Sequence, residues 1–173
     1  MSEKFLSWVL RHNFPVDSGG WIAIEDFIRL AKELNKEFTI DHIKKIVATD
    51  KKQRFELCDG KVRAVQGHSL PQVNTIELCT RIVSKDQING PVIHKTTNTS
   101  FKKILESGCL KPMGRNCIHF SDDPKLLRQN ANVEIELCVE KWLSEGHELY
   151  RAKNGVILVN TDVKLKYCIL RDF

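Results

Sequence analysis

The sequence predicts an α+β protein in two lobes, the second built on a largely antiparallel sheet. Apolar residues at helical spacing dominate the first third of the chain, and a strong hairpin signal follows them. After residue 90, short strand-like runs alternate with helical segments. The links between these runs are too short for repeated parallel crossovers, so the strands are expected to pair antiparallel. Pro71 and Asn89-Gly90-Pro91 break the pattern between the lobes, and the predicted domains are 1–75 and 76–173.

The first lobe begins with three amphipathic helices. Thr39 stands at the cap position of the third helix and Asp41 in its first turn. The first helix carries Trp8 inside its apolar run and ends in Arg11-His12. The apolar positions at helical spacing are Phe5, Leu6, Val9 and Leu10, then Ile24, Phe27, Ile28, Ala31 and Leu34, then Ile40, Ile43, Ile46 and Val47.

A hairpin completes this lobe. Asp59-Gly60 is a strong two-residue turn within "RFELCDGKVRAV". Pairing across it sets Leu57 opposite Val62 and Phe55 opposite Ala64, which gives one apolar face. Three helices followed by a two-stranded wing predict a winged-helix-like lobe, a shape often used on nucleic acid.

The second lobe contains five strand-like runs and two helices. Thr99 is predicted to cap a helix that stops at Gly108, and Asp122-Asp123-Pro124 to open a short one. The predicted strands are "PVIHKT", "CIHFS", "VEIELCV", "NGVILV" and "LKYCIL".

Composition limits the class of protein. The chain has 173 residues, 42% of them apolar, and a net charge of +5. Lys and Arg outnumber Asp and Glu by 12 to 10 up to Val73 and by 15 to 12 afterwards. Neither half is strongly basic, so a phosphate site must be formed by individual, specifically positioned basic residues. No apolar run approaches a membrane span and no secretion signal opens the chain, so a soluble cytoplasmic protein is expected. The six cysteines form no Cys-x-x-Cys pair, and we expect them to be reduced and buried, with no metal site.

Chemistry-bearing residues are few. The chain has no Gly-rich phosphate loop and no paired-histidine metal helix. Single Arg and His residues remain, and each has a structural explanation. Arg11 and His12 could cap a helix, Arg54 could pair with Glu56 or Asp50, and a histidine on an apolar strand is usually a satisfied core residue.

Together these residues match a known pattern. The segments "LRH", "ATDKKQRFEL", "RAVQGHS", "VIHKT", "SGCLKPMGRNCIHFS" and "YRAKNGVIL", in this order and spacing, resemble the tRNA 2′-phosphotransferase family. The resemblance implies an amino-terminal winged-helix RNA lobe and a carboxy-terminal lobe of the ADP-ribosyltransferase type. It also implies NAD as co-substrate and RNA with an internal 2′-phosphate as partner, tRNA first among candidates. A monomer without metal or membrane partner is expected.

The resemblance also implies the site residues. The family's catalytic Arg-His-Arg-Arg set falls on Arg11, His12, Arg54 and Arg115. Its NAD contacts fall on His94, Thr96, His119 and Ser121, with Asn154 and Gly155 at the floor. Arg11, Arg54 and His68 are the expected RNA contacts.

The residue types suit the reaction that the family performs. A 2′-phosphomonoester is a dianion, and planar, permanently charged arginines can grip two of its oxygens at once. The phosphate is already anionic when it attacks the ribose carbon bearing nicotinamide, so strong general-base catalysis is unnecessary. When the ribose hydroxyl then attacks phosphorus, a proton must move, and we assign acid-base or hydroxyl-orienting work to His12.

One departure and two alternatives stay open. The family usually reads His-Gly-Thr where this chain has Lys95, which would either disturb a close backbone approach to the dinucleotide or point outward and add a phosphate contact. A winged-helix RNA-binding protein without catalysis is one alternative. An ADP-ribosyltransferase that caps nucleic-acid ends is the other.

Overall fold

The fold is α+β, and all strand pairs among the described residues are antiparallel. The computed structural model describes residues 3–171. The chain divides into two compact units, Met1–Leu78 and Cys79–Phe173, whereas the sequence placed the boundary after residue 75. The predicted fold class is confirmed at this level.

The described elements are the following. The helices are α1 Glu3–His12, α2 Ile24–Glu33, α3 Ile40–Thr49, α4 Asn98–Ser107 and α5 Val139–Ser144. The strands are β1 Trp21–Ala23, β2 Phe55–Cys58, β3 Lys61–Ala64, β4 Thr80–Ile82, β5 Val92–Thr96, β6 Cys109–Leu110, β7 Ile118–Phe120, β8 Val133–Leu137, β9 Leu149–Arg151, β10 Ile157–Val159, β11 Val163–Lys164 and β12 Cys168–Arg171. Three 3₁₀ turns cover Thr75–Leu78, Lys85–Gln87 and Leu165–Tyr167.

The three helices of the first unit are confirmed. Thr39 caps α3, because its hydroxyl oxygen accepts the backbone N–H of His42 at 3.2 Å. Leu34 was expected on the apolar face of α2, but it follows the last helical residue and is exposed. Trp8 is also exposed, whereas its neighbours Val9 and Leu10 are buried.

The hairpin has the predicted register. Leu57 faces Val62 and Phe55 faces Ala64. Asp59 and Gly60 both have positive φ, at 46° and 71°, as a two-residue hairpin turn requires. The sequence did not predict β1, which pairs with β3 and makes the sheet three-stranded in the order β1-β3-β2. Three residues directly before a helix carry too little periodicity to reveal a strand.

The second unit contains two larger sheets. Their strand orders are β4-β9-β10-β7 and β12-β8-β5, and β6 pairs with β11 separately. Reciprocal backbone hydrogen bonds of 2.9 Å between Ile93 and Ser121 connect the edge strand β5 to the end of β7. This bridge brings the two strands that carry the candidate histidines side by side.

Three local predictions in the second unit need correction. Thr97 caps α4, because its hydroxyl accepts the N–H of Ser100 at 3.3 Å, and Thr99 lies inside the helix. Residues 122–124 open turns rather than a helix, with the Asp123 carboxylate accepting the N–H of Lys125. The segment "LKYCIL" begins as a 3₁₀ turn before it becomes β12.

Each unit has its own apolar core. Phe27 and Ile43 lie in the first core, and Ile135 and Trp142 in the second. The cysteines are free thiols, but of the six only Cys117 is buried, so the expectation of general burial is wrong. No helix of residues 3–171 is long and apolar enough to cross a membrane.

Candidate active site

Arg11 and His12 occupy the last turn of α1, as predicted. Arg11 is 8% exposed. The chain at 67–69 packs over this turn, since the N–H of Ser69 donates to the carbonyl oxygen of Arg11 at 2.9 Å. A Cβ atom at Gly67 would lie 3.1 Å from Nε and Cζ of Arg11, and Gly67 has a φ of 89°. Only glycine fits there without strain.

His12 is oriented by the same segment. Its Nδ1 lies 2.8 Å from Oγ of Ser69, and the two groups share a hydrogen bond. This contact fixes the orientation of the ring. Ser69 and Gly67 lie in the segment "RAVQGHS", but nothing in the sequence indicates that they contact Arg11 and His12.

His68 lies beside Arg11 and is fully buried, with 0% exposure. Neither ring nitrogen has a hydrogen-bond partner among the described residues. Burial, followed by the charges of Arg11, His12 and Arg63, lowers the pKa of His68 to about 4. A neutral, buried imidazole offers a phosphate neither charge nor an accessible N–H. The predicted RNA contact at His68 is therefore at odds with its position.

Arg54 lies just before β2 and is held by two carboxylates. Its Nη2 donates to Asp50 at 2.8 Å, and Glu3, in the first turn of α1, forms a second ion pair with the same nitrogen. The Asp50 carboxylate also accepts the backbone N–H of Arg54 at 2.6 Å. The pairing with Asp50 that the sequence suggested as the structural explanation is present.

The backbone places Arg54 next to the segment that covers Arg11. The N–H of Val65 donates to the carbonyl oxygen of Arg54 at 2.9 Å, and Gly67, two residues farther along the chain, packs against the Arg11 side chain. Nη1 of Arg54 has no hydrogen-bond partner among the described residues. This nitrogen is the group that remains for a phosphate oxygen.

In the second unit, His94 on β5 is held as a neutral donor. Its Nδ1 lies 2.9 Å from the carbonyl oxygen of His119, and its ring meets Phe120 edge-on at a centroid distance of 5.6 Å. A carbonyl oxygen only accepts, so Nδ1 carries the proton. Burial, with a smaller effect from the charge of Arg128, lowers the pKa of His94, although the hydrogen bond to His119 opposes this shift. Nε2 is therefore an acceptor.

Arg115 follows a tight turn and carries an unbalanced charge. The N–H of Arg115 donates to the carbonyl oxygen of Pro112 at 3.3 Å, and Met113 within the turn has a φ of 59°. Partial desolvation of the exposed side chain, then the charge of Arg128, lowers the pKa of Arg115, which stays protonated. No carboxylate among residues 3–171 forms an ion pair with Arg115.

Arg128 is a further cation near these residues, and it was not among the predicted site residues. It lies on the loop between β7 and β8, and no described carboxylate pairs with it. Leu126 of this loop lies 3.4 Å from where a Gly155 Cβ would be, and the N–H of Asn132 donates to the carbonyl oxygen of Thr96. The loop is thus anchored at two predicted NAD residues, with Arg128 between the anchors. Its only sequence signal was a single arginine in a polar stretch.

The other predicted NAD residues lie at strand ends and form their own loops. Thr96 ends β5 and is buried. The Ser121 hydroxyl donates to the carbonyl oxygen of Asp123 and accepts its N–H, both at 3.0 Å. Asn154 is buried and its Oδ1 accepts the N–H of Val156 at 3.4 Å. These side chains shape the loops in which they lie.

A buried ion pair joins the same loops. Nη1 and Nη2 of Arg151 donate to the two oxygens of Asp122 at 3.0 and 2.9 Å, and the Asp122 side chain is only 3% exposed. Arg151 also donates to the carbonyl oxygens of Gly155 and Gln87, and the N–H of Asn89 donates to Asp122. Burial alone would raise the pKa of Asp122, but these hydrogen bonds lower it. We call Arg151 and Asp122 the loop clamp.

Lys95 points away from His94. Adjacent strand residues face opposite sides of a sheet, and Lys95 pairs across the strands with Glu134, Nζ to Oε1 at 3.3 Å. The pairing gives Lys95 a local partner on the face opposite His94. Among residues 3–171, no group of His, Cys, Asp and Glu side chains could hold a metal ion.

Comparison with known proteins places the chain in a family. The model of the family described as "RNA 2'-phosphotransferase, Tpt1 / KptA family" matches residues 2–161. The tRNA 2'-phosphotransferase 1 of Danio rerio is 32% identical, covering 92% of this chain and 77% of that protein. A probable RNA 2'-phosphotransferase of Rhodopirellula baltica is 30% identical over 92% of this chain and 90% of its own length. The tRNA 2'-phosphotransferase of Saccharomyces cerevisiae is 30% identical over 90% and 76%. With a family model that spans most of its length, the chain belongs to the RNA 2'-phosphotransferase, Tpt1 / KptA family.

Proposed function

We propose that the protein is an NAD-dependent RNA 2′-phosphotransferase. It would move an internal RNA 2′-phosphate, as at a tRNA splice junction, onto NAD and release nicotinamide, 2′-hydroxyl RNA and ADP-ribose 1″,2″-cyclic phosphate. The observation that carries the proposal is the donor set of the second unit. A neutral His94 presents an acceptor nitrogen, and Arg115 and Arg128 have no described counter-ion.

That donor set fits a dinucleotide. A ribose hydroxyl can donate to Nε2 of His94, because the carbonyl oxygen of His119 holds the proton on Nδ1. Arg128, which has no described carboxylate partner, suits a phosphate of the dinucleotide, and Arg115 remains for the RNA 2′-phosphate. The positive φ of Gly155, 89°, lets the backbone turn where a side chain would be strained. Lys95 forms an ion pair with Glu134. This pairing favours neither a disturbed backbone approach to the dinucleotide nor an added phosphate contact.

We assign RNA binding to the first unit. Its three helices and three-stranded sheet support a winged-helix-like fold, and the two bridged antiparallel sheets of the second unit support the ADP-ribosyltransferase type. Arg11 and Arg54 would contact the RNA phosphate. Arg54 would do so through Nη1, with Asp50 and Glu3 fixing its direction.

In the first step, an oxygen of the 2′-phosphate attacks the ribose carbon that bears nicotinamide. The carbon–nitrogen bond breaks, and nicotinamide leaves neutral with the bonding pair. The nucleophile is already anionic, so no carboxylate base is needed. Arg115 would orient the phosphate by its charge. The product is an ADP-ribosylated RNA phosphate.

In the second step, the neighbouring ribose hydroxyl attacks phosphorus and the RNA 2′-oxygen leaves. The hydroxyl loses a proton and the leaving oxygen gains one, so a group that can hold a proton in between assists both events. We assign this role to His12, whose ring is oriented by the hydrogen bond between its Nδ1 and Oγ of Ser69. Arg11 and Arg54 would stabilise charge on the phosphoryl oxygens.

The test uses a short RNA with one labelled internal 2′-phosphate, incubated with and without NAD. We expect label to appear in a cyclic-phosphate form of ADP-ribose only with NAD, and Arg11→Ala, His12→Ala, Arg54→Ala and Arg115→Ala each to reduce its rate. Label that stays on the RNA at saturating NAD would favour a binding protein. Persistent ADP-ribosylated RNA would favour an enzyme that stops after the first step.

A further inference from the structure

Trp8 is an exposed aromatic side chain in the middle of a helix whose apolar face is buried. It is 47% exposed, whereas Leu6, Val9 and Leu10 of the same helix are fully buried. Its ring contact is a tilted one with Phe5, at a centroid distance of 6.2 Å. The indole therefore contributes little to the core and presents much of its surface to solvent.

The spacing of α1 places Trp8 in line with two other groups. Residues four apart lie on one helical face, so Lys4, Trp8 and His12 form a stripe. Neighbouring members of the stripe are about 6 Å apart. The stripe ends at the histidine to which the proton-transfer role is assigned.

The stripe is cationic. Lys4 is exposed, and no described carboxylate forms an ion pair with it. The acidic neighbour Glu3 is engaged by Arg54. An occupant of this stripe would meet a positive charge, then a flat apolar surface, then His12. A single strand of RNA supplies the complementary groups, a phosphate and a base with an apolar face.

We propose that Trp8 is a stacking platform for a base next to the 2′-phosphorylated nucleotide, with Lys4 holding a phosphate farther along the strand. The assignment rests on the proposed function, because it requires RNA as the substrate. Stacking on an aromatic ring tolerates any base, so the site would fix the position of the strand without reading its sequence.

The experiment compares Trp8→Ala with Trp8→Phe, and Ile40→Ala serves as the control. Ile40 is an exposed apolar residue at the start of another helix in the same unit. With a single-stranded RNA carrying one internal 2′-phosphate, Trp8→Ala should raise the RNA KM and Kd about tenfold. Trp8→Phe should retain most of the affinity, and Ile40→Ala should match the wild type. The KM for NAD and the melting temperature should change little in all three.

A second substrate isolates stacking. Two RNAs are used, one lacking the base before the modified nucleotide and one lacking the base after it. The wild type should bind one of these two RNAs more weakly than the intact RNA. Trp8→Ala should bind that same RNA as tightly as it binds the intact RNA. The stacking assignment would be overturned if the wild type and Trp8→Ala lost equal RNA affinity with each of the two RNAs. It would also be overturned if the RNA Kd of Trp8→Ala matched that of Ile40→Ala. Failure of the wild type to act on any 2′-phosphorylated RNA would instead overturn the proposed function.

Discussion

His94 is half-buried and His68 is fully buried, and the pKa values of both are lowered, but their surroundings differ. His94 donates one proton to the carbonyl oxygen of His119 and keeps an acceptor nitrogen. His68 has no hydrogen-bond partner among the described residues and lies near the charges of Arg11 and His12. The first environment suits a ligand contact. The second only keeps the ring neutral, and its consequence should appear in stability rather than in catalysis.

We expect His68 to make the protein sensitive to acid. Its pKa falls from 6.5 to about 4 on folding, so the folded state binds fewer protons between these values. Stability is then full above about pH 6.5 and is lost as the pH falls toward 4, by roughly 3 kcal/mol. His68→Leu should lose less stability than the wild type over this range, measured by thermal melting from pH 7 to pH 4.5. The exposed His42→Gln is the control, and equal acid sensitivity in all three proteins would contradict the argument.

Lys95 supports a second residue-scale prediction. Its ammonium pairs with Glu134 on the strand face opposite His94. We therefore expect Lys95→Ala to leave the KM for NAD within about twofold and to lower stability by no more than about 1 kcal/mol. Glu134→Gln should behave alike, since it breaks the same pair. A KM for NAD raised tenfold by Lys95→Ala alone would place the lysine against the dinucleotide instead.

At the scale of elements, the loop clamp connects three loops that are distant from one another in the sequence. Arg151 and Asp122 tie residues 87–89, 121–123 and 154–155 together. Ser121 and Gly155 in two of these loops are predicted NAD contacts. Because the charges of the clamp neutralise each other, we expect it to position these loops rather than to contact the dinucleotide itself.

We expect loss of the clamp to weaken NAD binding. Asp122→Asn leaves Arg151 half-buried without a counter-charge, which should cost about 3 kcal/mol of stability and raise the KM for NAD about tenfold. The thermal shift produced by NAD should shrink in parallel, while kcat at saturating NAD stays near that of the wild type. The control is Glu148→Gln, which breaks an exposed ion pair with Arg81 next to the same strand. An unchanged KM for NAD in Asp122→Asn would show that the clamp serves stability alone.

Elements with strong local signals were predictable, and elements defined by distant pairing were not. The Asp59-Gly60 turn fixes its own register, and Gly108, with a φ of 69°, ends α4 as expected. The strands β1 and β9 are three residues long and depend on partners elsewhere in the chain. The Asp122-Asp123-Pro124 signal is equally compatible with a turn and a helix start, and the clamp on Asp122 favours the turn.

The candidate site was predictable only in part, for a similar reason. A family pattern identifies Arg11, His12 and His94 because each lies in a continuous motif. It gives no information on what a side chain faces after folding, such as the burial of His68 or the exposure of Trp8. Those properties depend on packing between segments that are distant in the sequence.

For the whole molecule, the charge is nearly balanced. The net charge is +5 on 173 residues, with 27 basic and 22 acidic side chains. Several cations are paired locally, including Lys85 with Glu140 and Lys166 with Glu145. Attraction to a polyanion should therefore come from a few specifically positioned basic residues rather than from a broad basic surface.

We accordingly expect RNA binding to depend only moderately on salt. Contacts from Arg11, Arg54 and Arg115 with the dianionic 2′-phosphate, and from Lys4 with a second phosphate, would neutralise about three phosphate charges. The log Kd for single-stranded RNA should therefore rise with log salt at a slope of about 2. Lys4→Gln should reduce that slope by about 0.7. Lys85→Gln is the matched control, because Lys85 is also exposed but is paired with Glu140, and it should leave the slope unchanged. A slope near 10, or an equal effect of the two variants, would indicate an extended basic surface in place of these few contacts.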